Sequence, residues 1–509
     1  MIPLFKVYMN NDVDIITNTL KSGMITQGKK VEEFEEKLKT YFNYPYLLTL
    51  NSATSGLTLA YRLLNLKPDV DKVISTPLTC FATNASILAN NLDIIWADTC
   101  MTTCNIDLED VKRKINFSTK VLSFVHWGGN PVDLDKVEEL KKYALENYEV
   151  NLSVIEDCAH AFGAEFGSKK LGTHGNICVF SLQAIKHLTT GDGGLIFLPN
   201  EEMYERAKLL RWFGIDRDRR SLPGSDFRLE PDIAEYGYKF HMNDINASIG
   251  LSNLPNIENI LEKCRNNGKF YKENLSKLYS IQLFEEVENS NSSYWIYTLK
   301  ILYNRKNEFL QFMKFKGIVV SQVHVRNDAH SCLKEYSSTL SNLDIIESQI
   351  VSIPVGWWIT QEQITYIVKC IKEFSESLYI TTLDTEQDLD EYSSLIFQMN
   401  KYTEDIKKLN KKTCKSIYIM KLNNKIVSTA KLFIEEKLYQ PIAHIEDVVT
   451  DNNYRNKGYG KSLIKYLIDI ALKDMNCYKI VLNCEEKVGN FYSKCGMIKT
   501  GSSFSIYKN

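Results

Sequence analysis

Phe180-Ser181-Leu182-Gln183-Ala184-Ile185-Lys186-His187-Leu188-Thr189-Thr190-Gly191-Asp192-Gly193-Gly194 orders the rest of the chain around it. The β-rich residues 178–181 lead into it and the apolar residues 195–198 follow it. A strand therefore runs out into a turn containing three glycines and resumes as another strand. One lysine, Lys186, is left near the edge of the sheet. A single lysine is ordinarily a solvated surface charge, so its meaning depends on what else reaches that edge.

Working outward, short β-rich runs at 46–50, 73–76, 93–97, 120–125 and 152–156 alternate with helical runs at 55–64, 81–90 and 134–145. That alternation predicts an α/β domain with a largely parallel sheet covered by helices. From about 250 to 375 the helices lengthen and strands become fewer, as in a second, smaller lobe. A different order starts near Leu378: a helix at 386–400, strands at 416–421, 425–434 and 444–450, a helix at 458–473, then strands at 479–483 and 502–507. In the 458–473 helix Leu463, Ile464, Leu467, Ile468 and Ala471 recur at the helical period. The expected organisation is thus a domain over 1–375 and another over 378–509, joined by a short junction at 375–380. Within the first, residues 1–250 form the larger body and residues 251–375 the smaller lobe.

At 509 residues the chain is too long for one core. Sixty-one Lys and Arg against 63 Asp and Glu give no global field to hold nucleic acid or a membrane surface. The first residues lack the basic flank and apolar stretch of a signal peptide, and no run is long enough to span a bilayer. A cytoplasmic enzyme is expected. The twelve cysteines are scattered and no histidine pair has ligand spacing, so reduced thiols and no metal site are expected.

Two further segments give Lys186 its company. In Val154-Ile155-Glu156-Asp157-Cys158-Ala159-His160 a carboxylate ends a buried strand, where α/β sheets bind ligands. A buried charge needs a cationic partner; a protonated pyridine nitrogen is one, and a structural salt bridge is the alternative. In Asn51-Ser52-Ala53-Thr54-Ser55-Gly56-Leu57 small hydroxylic residues open a helix, which caps the helix or cradles a phosphate.

Together with Gly23–Gly28, His126–Pro131, Gly237–Asp244 and Ser321–Asp328, these segments resemble the DegT/DnrJ/EryC1/StrS family of fold-type I, pyridoxal-phosphate-dependent nucleotide-sugar aminotransferases over roughly residues 1–375. The resemblance implies that Lys186 is the lysine joined to pyridoxal phosphate and Asp157 the partner of its ring nitrogen. It further implies that Ala53, Thr54 and Ser181 hold the phosphate and that His160 lies near the ring oxygen. Cys80 occupies the segment covering a ring face, where many relatives carry an aromatic. Lys239 stands where many members have asparagine reaching the neighbouring subunit's cofactor phosphate, a role Asn243 could share; an obligate homodimer follows. His324 and Arg326 are candidate sugar-nucleotide contacts. Retention of a lysine at 186, with His187 beside it, favours transamination over the dehydration performed by a histidine-bearing branch. The wording His126-Trp127-Gly128-Gly129 and the run at 185–194 are similar to enzymes that aminate C4 of a nucleotide-linked 4-keto-6-deoxyhexose, with glutamate as the usual donor.

Tyr454-Arg455-Asn456-Lys457-Gly458-Tyr459-Gly460-Lys461-Ser462 joins a strand to the amphipathic helix. Its glycines let backbone approach a pyrophosphate at the helix N-terminus. It resembles the acetyl-CoA loop of GNAT acetyltransferases, which implies Arg455, Lys457, Gly458, Gly460 and Lys461 as acetyl-CoA contacts. Residues 444–449, 477–484 and 490–497 are similar to glucosamine-6-phosphate N-acetyltransferases. That likeness implies Tyr492 as the acid for the leaving thiolate and Glu446 and Asp447 near the acceptor amine. Relatives carry aspartate where this chain has Asn483, and an amide cannot take a proton at neutral pH. The departure argues against glucosamine 6-phosphate itself, and the fusion of the two domains, rather than any residue, makes the 4-amino sugar from the first domain the expected acceptor. Independent action on glucosamine 6-phosphate, and a non-catalytic acetyl-CoA-binding module, are the rival readings.

Overall fold

The computed structural model describes residues 1–217, 232–383, 386–398 and 416–499. It divides into two compact units: Met1–Ser276 with Leu283–Lys300 and Met313–Val368, and Lys277–Gln282 with Ile301–Phe312 and Lys369–Asn509.

A seven-stranded sheet organises the first unit, in the order Leu47–Leu50, Gly194–Phe197, Ile177–Ser181, Ser153–Asp157, Thr119–Val125, Lys72–Ser75, Asp93–Trp96. Only Gly194–Phe197 runs against its two neighbours; the other pairings are parallel. Successive residues of a strand face opposite sides, and the two cores divide accordingly. Leu122, Val154, Cys178 and Phe180 enter one, while Val121, Ile155, Ile177 and Val179 enter the other. Apolar residues on both faces explain why these strands read as continuous hydrophobic runs.

The parallel topology has a positional consequence. The C-terminal ends of Leu47–Leu50, Ile177–Ser181, Ser153–Asp157 and Thr119–Val125, and the N-terminal end of Gly194–Phe197, share one edge of the sheet. Asn51, Ser181, Asp157, His126 and Gly194 are therefore brought to that edge by backbone direction alone. Later in this unit residues 297–300 pair antiparallel with Ile350–Ile353, and the unit also carries helices Ile257–Leu275 and Ser341–Gln349.

The second unit has a five-stranded sheet in the order Leu378–Thr382, Ile417–Leu422, Lys425–Glu435, Ile442–Thr450, Lys479–Val481, antiparallel except for the last pair. Helix Tyr459–Asp469 packs Leu463, Ile464 and Leu467 with Val427, Leu432, Ala443 and Ile445. On another cluster Tyr392 and Leu395, from helix Glu386–Phe397, meet Ile417, Ile419, Ile426 and Val449. The junction expected at 375–380 runs into a full edge strand, Leu378–Thr382, paired residue by residue with Tyr418–Leu422. The C-terminal strand expected at 502–507, and residues 399–400 of the expected helix, lie outside the described residues.

Candidate functional site

Asp157 is 2% exposed and makes no ion pair among the described residues. Thr83 Oγ1 donates to its Oδ2 at 2.6 Å and the Ala159 N–H to its Oδ1 at 3.0 Å. Burial pushes its carboxyl above the usual aspartate range, against those two donors and the nearby Lys186. A buried carboxylate so held still calls for a cation.

Lys186 follows one short turn beyond Ser181, its N–H bonded to Gln183 O at 2.9 Å. Its side chain is half-buried, and desolvation of the amine brings its pKa down to about 7, with Asp157 and Cys80 opposing. Nζ lies 3.4 Å from the ring centroid of Trp295. The indole Nε1 donates to Ile185 O at 2.9 Å, and His160 stacks on the indole at 3.9 Å and 21°. His324 lies parallel to His160 at 5.6 Å, and Trp127 meets both imidazoles edge-on. Burial holds His160 well below the normal histidine pKa and His324 and His187 at about 4, so all three rings are neutral at pH 7.

A second buried carboxylate stands beside Asp157 and points the other way. Glu156 faces His126 Nε2 at 2.9 Å and takes Asn176 Nδ2 at 2.7 Å. His126 Nδ1 accepts the Val132 N–H at 2.9 Å, which assigns the proton to Nε2. His126, Glu156 and Cys158 place ligand-type atoms within 4.8 Å of one another. Because these ring nitrogens and carboxylate oxygens already hydrogen-bond to one another and to Val132 and Asn176, the trio is a structural cluster.

The cradle is built at the start of helix Ala53–Leu63. Ser52 caps it, accepting the Ser55 N–H at 3.1 Å. A side chain at Gly194 would place Cβ 2.5 Å from the Ser52 carbonyl carbon and 2.6 Å from Ala53 N, so glycine is required for strand and helix to meet there. Ser181, 8% exposed, lies on the adjoining strand end and accepts the Gln183 N–H at 3.3 Å. Thr54 is exposed and Ala53 half-buried. The half-buried Cys80 precedes helix Phe81–Leu88, which carries Thr83.

Other expected residues sit differently. Asn243 caps helix Asp244–Asn253 by accepting the Asn246 N–H at 2.9 Å. Lys239 is exposed, and its carbonyl takes Asn51 Nδ2 at 3.2 Å, which ties this segment to the residue before the cradle. Arg326 does not offer a free guanidinium. It pairs with both oxygens of Asp328 at 2.7 and 2.6 Å, with Asp344 at 2.5 Å and with Glu347 at 3.4 Å. Sequence reasoning passed over Trp295 and Thr83, whose places depend on long-range packing.

In the second unit the parallel register between Ile442–Thr450 and Lys479–Val481 ends at His444 and Val481. Residues from Ile445 on thus have no strand partner on that side among the described residues. A register shift falls between Thr429 and Lys431, opposite Asp447, whose φ is 48° and whose carboxylate pairs with Lys431 at 2.5 Å. Glu446 and Asn483 are exposed. Gly458 takes φ 92° before helix Tyr459–Asp469, and a Cβ on Gly460 would lie 2.7 Å from Thr450 Oγ1. Arg455 Nε donates to Thr450 O at 3.1 Å; Lys457 lies over the Tyr454 ring and Lys461 is exposed. Tyr492, on the short helix Gly489–Ser493, is pushed up to about 12 by burial.

A helix N-terminus for a phosphate, a buried carboxylate with no ion pair among the described residues, and a lysine held near neutrality at one sheet edge fit a fold-type I pyridoxal-phosphate enzyme. The chain belongs to the DegT/DnrJ/EryC1/StrS aminotransferase family, whose model matches residues 8–372. Residues 380–497 match the acetyltransferase (GNAT) family. These families use pyridoxal phosphate and acetyl-CoA respectively. The chain is similar to AtS13 from Actinomadura melliaura (41% identity, TM-score 0.70, covering 73% of this chain and 98% of that one). It is also similar to the sugar aminotransferase CalS13 from Micromonospora echinospora (39%, TM-score 0.70, covering 73% and 100%). A UDP-4-amino-4,6-dideoxy-N-acetyl-beta-L-altrosamine transaminase of Campylobacter jejuni is 32% identical over 62% of this chain and 81% of its own length. The protein is thus a nucleotide-sugar aminotransferase joined to a GNAT domain. No helix among the described residues is long and apolar enough to cross a membrane.

Proposed function

We propose that this chain moves an amino group from glutamate to C4 of a nucleotide-linked 4-keto-6-deoxyhexose, and that its C-terminal domain, from about residue 378, acetylates the new amine from acetyl-CoA. The protein acts as a cytoplasmic homodimer in this reading. The observation that carries the first step is the juxtaposition of Lys186, its pKa brought down to about 7, with Asp157, which has no ion pair among the described residues, at the edge that also holds the Ala53 helix start. The C. jejuni relative named as a 4-amino-4,6-dideoxy sugar transaminase supports the position of amination.

Pyridoxal phosphate, when bound, supplies an electron sink for the charge left by proton removal. Asp157 would hold its ring nitrogen protonated, with the Thr83 hydroxyl and the Ala159 N–H favouring its ionised form against the burial that raises its pKa. The N–H groups opening helix Ala53–Leu63, with Thr54 and Ser181, would take the phosphate. A lysine amine with a pKa of about 7 accepts and returns a proton at neutral pH, which suits Lys186 to carry the proton between the two carbons of the amine exchange. The neutral imidazoles of His160 and His324 add no second cation beside that amine.

For acetyl transfer, the loop 455–461 would hold the pyrophosphate and the Tyr492 hydroxyl would return a proton to the departing thiolate. Since Asn483 cannot take a proton, the exposed Glu446 would assist the amine, with Glu485 or a water chain as the alternatives. Mass spectrometry of products from a panel of 4-keto-6-deoxy nucleotide sugars, with glutamate and acetyl-CoA supplied, tests the reading. A mass gain for amination followed by one acetyl group is expected. Amination without acetylation, alongside acetylation of glucosamine 6-phosphate, would separate the two domains into independent enzymes.

A further inference from the structure

Trp295 takes no step in the amine exchange, yet it makes the nearest ring contact of Lys186. Three contacts fix the indole: Nε1 donates to the carbonyl of Ile185, His160 stacks on it at 3.9 Å, and Phe5 stacks at 4.9 Å and 24°. It is 5% exposed. A core aromatic needs only apolar neighbours, whereas this one is tethered to the residue preceding Lys186 and has the lysine nitrogen 3.4 Å from its ring centroid. That separation is within the range in which an ammonium is held by an indole face. The surrounding imidazoles are neutral and do not compete for the face as cations.

We propose that Trp295 is a positioning residue that holds the amine of Lys186 whenever that amine is not joined to the cofactor. In transamination the lysine must be free during half of the cycle, and a free, flexible lysine would otherwise sample many rotamers. The indole keeps it beside the reacting atoms and ready to return. The inference rests on Lys186 being the cofactor lysine.

The thermodynamic signature follows from which ligand uses the lysine. Pyridoxamine phosphate leaves the amine free, so the indole contact is the same before and after binding. Pyridoxal phosphate takes the amine into a covalent link, so the contact is given up on binding. Replacing the indole should therefore raise the ratio of the two dissociation constants, pyridoxamine phosphate over pyridoxal phosphate, by about threefold to thirtyfold. General damage to the site would weaken both ligands together and leave the ratio unchanged.

The experiment titrates the full-length apoprotein with each compound by fluorescence, in wild type, Trp295→Leu and Trp295→Phe. It repeats the wild-type and Trp295→Leu titrations in the Lys186→Ala background. The ratio is expected to rise in Trp295→Leu, to rise less in Trp295→Phe, which keeps a ring, and to be insensitive to position 295 once Lys186 is removed. An unchanged ratio in both Trp295 variants, or a rise that persists without Lys186, would overturn the proposal. Borohydride reduction of the wild-type protein with pyridoxal phosphate, followed by peptide mapping, tests the lysine separately. An adduct on another residue would overturn the assignment of Lys186 itself.

Discussion

Thr83 Oγ1 donates its hydrogen to Asp157 Oδ2 across 2.6 Å and must therefore accept from Thr79 Oγ1, 2.8 Å away. The direction of the chain is set by Asp157, which has no hydrogen to give when ionised. A hydrogen bond to a buried charged acceptor contributes about 1.5–3 kcal/mol. Thr83→Val should thus favour the neutral carboxyl and weaken pyridoxal phosphate binding about tenfold to a hundredfold. Thr83→Ser should restore it. Titration of the apoprotein measures both, and equal affinities for the Val variant and wild type would dissociate Thr83 from the ring-nitrogen partner.

The Lys186 amine should titrate near pH 7 in the apoprotein. Reductive methylation at graded pH, with the extent at Lys186 read by peptide mass spectrometry, should show a midpoint near 7. A midpoint close to the 10.5 of an ordinary lysine would refute the desolvated environment. Linkage gives a second readout: a lysine whose folded pKa lies below its unfolded value makes stability rise with pH between about 7 and 10.5. Lys186→Met should abolish that component.

Glu35 and Arg211 form a buried pair at 2.5 Å, with the backbone N–H and hydroxyl of Thr49 also donating to Glu35 Oε1. Burial raises the Glu35 carboxyl, but Arg211 and Thr49 outweigh it and the net shift is downward. Its stabilising contribution is therefore present above the unfolded glutamate value of 4.5 and is lost as pH falls through the lowered folded one. Glu35→Ala leaves a buried guanidinium without its carboxylate and should cost about 3–5 kcal/mol in denaturant unfolding at pH 7. A loss under about 1 kcal/mol would mean that Arg211 finds another partner or water.

Tyr492→Phe should slow acetyl transfer by about a hundredfold or more while leaving acetyl-CoA affinity nearly unchanged, as removal of a general acid does. Stopped assays of CoA release and a binding titration separate the two effects. If transfer proceeds at the wild-type rate in the phenylalanine variant, the thiolate takes its proton from elsewhere.

The sheet was legible because its strands are apolar on both faces. Strand ends put Asp157 and Lys186 near the sheet edge from sequence, whereas Ser181 and the Ala53–Thr54 helix start join them through the family resemblance. Trp295 and Thr83 could not be placed by either route. Trp295 lies just before strand Tyr297–Ile301, far along the chain from Lys186, and no local period marks it. Arg326 reads from sequence as a ligand cation because, besides the neighbouring Asp328, two of the carboxylates that engage it, Asp344 and Glu347, belong to a separate helix. Leu378-Tyr379-Ile380-Thr381-Thr382 carries the β-branched and aromatic residues of a strand. Its place at an expected junction hid that signal.

Glu156 and Asp157 are consecutive, so the pleat sends one carboxylate to each side of the sheet. The first is tied to His126 and Asn176, the second left to Thr83 and Ala159. The strand thereby works as a partition between two negative charges that would repel each other strongly in one cavity. A slip of one residue would exchange them, delivering the histidine-bound acid to the reaction side and burying the other against a histidine. Register here decides which acid stands on the side of Thr83 and Lys186, so a single insertion in this strand would swap the two carboxylates while leaving the composition almost untouched.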